Sequence, residues 1–249
     1  MDGTACGIAA FWTLFPFPIL ESQLLNQKLG DSINSLAELH MRTHLAVYDA
    51  VKSTSFDNNK SAHQSHVSRL QLRFIASLAE TRQLLAMSKF QIQIDGRRPR
   101  NLHASLLNNI ESVFRSVSLV FYATRTFSTI ESEAASSLWM NELRRVASRN
   151  ENVELRTLSV LSICADAIGR GHPLPPFMDI PETSSLLEAL KASPMDLLSA
   201  KHALEPGYAA LAAIHASAEI VTDDLKALVR LTGELVGSVE FVDTQGSLA

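Results

Sequence analysis

Apolar residues in this chain return at steps of three and four over long stretches, and almost nowhere at steps of two. That period lines them up along one face of an α-helix, whereas a half-buried strand needs alternation. Over residues 19–53 the stripe is Leu25, Leu29, Ile33, Leu36 and Val47, with Gln27, Asp31 and Asn34 on other faces. A second helix is expected over 66–94 on Leu70, Phe74, Leu78, Leu84 and Leu85. A third, over 99–127, carries Leu106, Ile110, Val113, Val117 and Val120. Shorter stripes hold Trp139, Leu143 and Val146, then Leu155, Leu158, Leu161 and Ala165 over 152–168. Short helices are expected at 182–191 and 196–203, and a last long one over 206–236. With only 10 Gly and 9 Pro in 249 residues, helix breakers are too few to cut these stripes short.

The punctuation falls between the stripes. Residues 53–65, "STSFDNNKSAHQS", read as a polar linker. Asp95-Gly96 reads as a turn, after "KFQIQI" (89–94), which is taken as the end of a helix. Gly169 and Gly171 are stop signals, and Pro173, Pro175 and Pro176 force an extended connection. The resulting fold class is all-α, an antiparallel helical bundle with long helices. Residues beyond Phe241 read as a frayed tail.

The opening stretch is different. Residues 7–30, "GIAAFWTLFPFPILESQLLNQKLG", begin apolar, break at Pro16 and Pro18, and continue amphipathic. A secretory signal would need a basic start, and here Asp2 precedes the apolar run. The run from Ala5 to Leu20 is shorter than the ~20 apolar residues of a complete span. Two readings stay open on physical grounds. One is the end of a transmembrane helix, with Trp12, Phe15 and Phe17 at the membrane–water interface. The other is an ordinary buried N-terminal segment.

A formal net charge of -4 supplies no basic field for nucleic acid, so nucleic-acid binding is not expected. Cys6 and Cys164 lie too far apart in sequence to suggest a disulfide framework or a metal motif. His40 and His44 share a helical face at zinc-binding spacing, and His63 and His66 follow. The glutamate of a metalloprotease helix is missing between the first two, so solvent-facing histidines and no metal site are expected. Glu219, Asp223 and Asp224 also share a face, but no nucleophile or histidine motif accompanies them, and they read as an acidic stripe. Nucleotide-binding and hydrolase motifs are absent from the sequence, so no enzymatic activity, catalytic residue or cofactor is expected. The remaining candidate is Arg97, Arg98 and Arg100, the densest positive charge in the chain, placed where a helix begins. Cations there oppose the helix dipole, and a phosphate or anionic lipid head group would cancel that cost; an ordinary solvated surface turn is the alternative.

Several stretches together resemble one family. "AAFWTLFPFPILESQLLNQKLGDSINSLAELH" resembles the join between the last transmembrane helix and the cytosolic region of fungal endoplasmic-reticulum transporter-like proteins, which group with fusaric-acid-resistance and aromatic-acid-exporter-like membrane proteins. "LLNNIESVFRSVSLVFYATRTFS", "LPPFMDIP" and "LEPGYAALAAIHASAEIVTDDLKALV" resemble the C-terminal domain of unknown function in the same proteins. Residues 53–98 match only loosely, and nearly all of the membrane-spanning part is missing, as in a truncated relative. The resemblance implies that residues 1–18 are the remnant of a last span, that 19–242 form a helical cytosolic domain, and that 243–249 are a disordered tail. It further implies a non-enzymatic domain on the cytosolic face of the endoplasmic reticulum or plasma membrane, linked to organic or aromatic acid export. Its partners would be the membrane unit or an anionic lipid surface, with self-association as a homo-oligomer a further expectation. A stand-alone soluble helical interaction module is the alternative.

Overall fold

The structure is a computed structural model and describes residues 17–52, 59–88, 100–127, 137–149, 155–176, 178 and 189–239. All regular elements among these are helical, and no strand occurs. In chain order they are α1 (Phe17–Lys52), α2 (Asn59–Met87), α3 (Arg100–Phe127), α4 (Leu138–Arg149), α5 (Leu155–Arg170), a 3-10 turn (Ala200–His202) and α6 (Tyr208–Val236).

α1 starts at Phe17 and takes Pro18 into its first turn, where a missing N–H costs no hydrogen bond. The expected linker at 53–65 is shorter than the sequence suggested, because α2 already begins at Asn59. Lys60, Ala62 and Gln64 are good helix formers, so a polar composition there did not mean a loop. α5 runs past Gly169 to Arg170 and stops at Gly171, whose φ of 71° is open to glycine. The His172 N–H donates to the Ala167 carbonyl at 3.0 Å, which closes the helix end with a Schellman-type bond. The helix expected at 196–203 is instead a run of turns around the 3-10 segment, with Asp196 at a φ of 47°. The "KFQIQI" stretch, residues 1–16 and the tail after Phe241 lie outside the described residues.

Paired side chains fix the directions of the helices. Lys28 Nζ bonds Glu80 Oε2 at 2.9 Å, Ser32 Oγ lies 3.3 Å from Ser77 Oγ, and His66 faces Glu38 at 4.0 Å. Partners in α2 therefore descend as those in α1 ascend, and the two helices run in opposite directions. His103 Nε2 meets Asn26 Oδ1 at 3.0 Å, which puts the start of α3 beside the start of α1. The most extensive helix–helix interface is α3 on α6, followed by α1 on α5. At the second, Gly30 lets the backbones approach: a Cβ there would sit 2.7 Å from the Ala165 carbonyl oxygen.

The core has two parts. One joins Leu25, Leu29, Ile33, Leu36 and Leu39 of α1 to Phe74, Ile110, Leu161, Ile168 and Leu228. Phe74 stacks on Phe114 there, with ring centroids 4.5 Å apart. The other joins Val47, Tyr48 and Val51 at the far end of α1 to Phe127, Trp139, Leu143, Leu190, Leu197, Leu211 and Ile214. α1, α3 and α6 thus run through both parts. A parallel β-bridge between Leu174 and Ser238 ties the chain after α5 to the end of α6. In it Leu174 N–H donates to Gly237 O at 2.9 Å, and Val239 N–H to Leu174 O at 3.0 Å.

Candidate functional site

The sequence singled out three groups of polar residues, and among the described residues the structure gathers none of them into a shared site. Arg97 and Arg98 lie outside the described residues, while Arg100 is the first residue of α3. His40 and His44 do lie on one face of α1, ring centroids 6.0 Å apart, and His44 continues onto Tyr48 at 4.9 Å. They line up as a row of rings along the helix. His63 and His66 fall inside α2 rather than in a linker, and His66 turns towards Glu38. Among the described residues no group of three His, Cys, Asp or Glu side chains is placed to hold a metal ion.

The acidic residues of α6 part company. Glu219 is exposed and lies 3.8 Å from both Lys191 Nζ and His215 Nε2. Asp223 is exposed and 3.6 Å from Lys226 Nζ. Asp224 alone turns inward, where Asn109 Nδ2 of α3 donates to its Oδ1 at 3.5 Å. Shared spacing on a helix gave them a common face, but the neighbouring helix covers only one edge of it.

A more built charged cluster escaped sequence reasoning. Glu111 of α3 is buried and holds two arginines. Arg82 of α2 pairs with its Oε1, and Arg115, one turn on, lies 3.3 Å from its Oε2. Both guanidinium groups stay largely exposed. The signal was available: Glu111 follows Ile110 and sits four residues after Leu107, inside the apolar stripe of its helix. A carboxylate there needs cationic partners to remain charged. Chemically the cluster is an electrostatic clamp between α2 and α3.

Four interior hydroxyl groups are occupied by their own helix. Thr81, Ser217, Thr222 and Thr232 each donate to the carbonyl four residues back, at 2.7–3.0 Å. Burial pushes the Cys164 thiol up to about 11, with the side chain of Thr232 acting in the opposite sense. A neutral, enclosed thiol is a poor nucleophile. Around α4, three bonds hold the segment before α6: Trp139 Nε1 donates to Leu197 O at 3.1 Å, Tyr208 Oη to Leu198 O at 2.8 Å, and Ser193 Oγ to Glu142 Oε1 at 2.7 Å. Arg144 Nε donates to Val51 O at 3.1 Å and so caps the last turn of α1.

A family model described as the Brefeldin A-sensitivity protein 4-like domain matches residues 22–238, from the first turns of α1 to just past the end of α6. The chain belongs to the Brefeldin A-sensitivity protein 4-like domain family. No curated protein and no solved structure matches it. The Brefeldin A-sensitivity protein 4-like domain thus takes in both parts of the core, the Glu111 clamp and the bridge between Leu174 and Ser238. Among the described residues no helix is long and apolar enough to cross a membrane.

Proposed function

We propose that this chain is a non-enzymatic helical domain that works at the cytosolic face of a membrane, as part of a transporter-like protein linked to organic or aromatic acid export. The domain is an antiparallel helical bundle, preceded in the sequence by the apolar residues 5–16. The observation behind this reading is the apolar run over residues 5–16, ending at Pro16, which in the sequence immediately precedes α1, a helix of about 54 Å. Such a run favours a lipid environment, with aromatic rings at the interface. The opposite direction of α1 and α2, fixed by Lys28–Glu80 and Ser32–Ser77, supports the bundle. The domain's role is to pack against the membrane unit and the anionic lipid around it, at the endoplasmic reticulum or the plasma membrane.

Arg97, Arg98 and Arg100 are the groups that would meet lipid head groups. Each basic residue near an anionic surface contributes about 1 kcal/mol, within a Debye length. Changing Arg97→Gln, Arg98→Gln and Arg100→Gln together is expected to weaken binding to phosphatidylserine-containing vesicles by roughly a hundredfold at low salt. The difference should shrink as salt rises and vanish on neutral vesicles. Co-sedimentation measures it, and equal binding by parent and triple variant would remove the arginines from the membrane contact.

A further inference from the structure

The described helices gather one set of helix ends. Lys28–Glu80 and Ser32–Ser77 bring the end of α2 beside the start of α1, and His103–Asn26 brings the start of α3 to the same place. Gly30 meets Gly169, so the end of α5 arrives there as well, and the bridge from Leu174 to Ser238 adds the end of α6. The chain enters this end at Phe17, after the apolar residues 5–16. Ser88 and Arg100, the described residues on either side of 89–99, lie at this end, and Arg97 and Arg98 fall within that interval of the sequence. Leu24 and Met87 stand exposed near it, at 40% and 50%. The carboxylates of Glu80, Asp166 and Glu234 are each held by a cation, Lys28, Arg170 and Arg230 respectively. Sequence spacing alone separates the apolar run from the arginines by about eighty residues; only the helix directions join them.

We infer that this end of the bundle, formed by the start of α1, the end of α2 and the start of α3, is the lipid-facing surface, so that the helices stand up from an anionic bilayer with the Trp139 end pointing away from it. The inference rests on the membrane reading given above and adds the orientation to it. Leu24 and Met87 enter the head-group region, while Leu204, fully exposed before α6 at the opposite end, stays in water.

The test uses the whole chain with Cys6→Ser, in which Cys164 remains enclosed and unlabelled. Met87→Cys and Leu204→Cys, each at an exposed position, receive a polarity-sensitive fluorophore and are mixed with phosphatidylserine–phosphatidylcholine vesicles. The label at 87 should shift to the blue and become accessible to a quencher dissolved in the bilayer, while the label at 204 should do neither. In parallel, Leu24→Asp with Met87→Asp should weaken vesicle binding by about tenfold, and Leu204→Asp should leave it unchanged. A response at 204, or binding with no response at 87, overturns the orientation and leaves the membrane reading standing. Failure of the parent chain to bind the vesicles at all overturns both.

Discussion

A Cβ built on Gly30 would lie 2.7 Å from the Ala165 carbonyl oxygen and 3.2 Å from the Gly169 Cα, both backbone atoms that cannot swing aside. Gly169, across the same contact, has nothing within 4 Å of its own Cβ position. Gly30→Ala should therefore force α1 and α5 apart and cost about 1–3 kcal/mol, beyond what its better helix propensity returns. Gly169→Ala should gain about 0.5–1 kcal/mol, since it only restricts the unfolded chain. Urea unfolding of the two variants measures both signs, and a stabilising Gly30→Ala would mean that the helices are not in this contact. Cys164 gives a pH signature at the same scale. Its thiol ionises at about 11 in the folded chain, against 9.0 for the ordinary group. Between those values the unfolded chain has released a proton that the folded chain still holds, so unfolding is favoured as pH rises. The contribution is intact below about pH 9 and falls by about 2–3 kcal/mol by pH 11. In a Cys6→Ser background, the parent should lose more stability between about pH 8 and about pH 10.5 than Cys164→Ala does. Equal slopes would show that the thiol is already open to water.

At the scale of elements, Glu111 makes α2 and α3 depend on charge as well as on apolar packing. Breaking the clamp from its cationic side, with Arg82→Gln and Arg115→Gln, leaves a buried carboxylate unpaired and should cost about 3 kcal/mol. Breaking it from the other side, with Glu111→Met, leaves two exposed guanidinium groups that water can solvate, and should be close to neutral. Thermal unfolding separates the two; equal costs would mean that the carboxylate is solvated and the clamp adds nothing. The helices themselves were legible from periodicity, because Leu25 to Val47, Leu106 to Val117 and Leu211 to Leu228 repeat at a spacing only a helix can use. Boundaries were less so. Residues 59–65 look like a loop by composition, yet polar residues such as Lys and Gln lengthen an exposed helix at little cost. The turns at 196–203 looked helical, yet their carbonyls are held by Trp139 and Tyr208, which reach in from other elements. Contacts of that kind leave no local trace. The same holds for the polar candidates. Glu219, Asp223 and Asp224 shared a face in sequence, but whether α3 covers that face depends on packing, and Asn109 reaches only Asp224.

For the molecule as a whole, what matters is how the two parts of the core are joined. One is centred on Phe74, Ile110 and Leu161, the other on Trp139, Leu143 and Leu211. No loop separates them: α1, α3 and α6 each pass from one to the other as an uninterrupted helix. A helix that melts in its middle loses hydrogen bonds on both sides and must pay the cost of a new nucleus to re-form. Damage in one part should therefore be felt in the other. Phe74 is 1% exposed and stacks on Phe114, so Phe74→Ala removes a large buried ring and should cost about 3–5 kcal/mol. Trp139 is 1% exposed and lies in the other part, so its fluorescence reports locally there once Trp12→Phe has silenced the other indole. In urea, the midpoint seen by Trp139 fluorescence and the midpoint seen by far-ultraviolet circular dichroism should coincide for the parent, and should move down together in Phe74→Ala. If the fluorescence midpoint stays at its parent value while the dichroism midpoint falls, the three shared helices do not couple the parts, and the chain unfolds as two units rather than one.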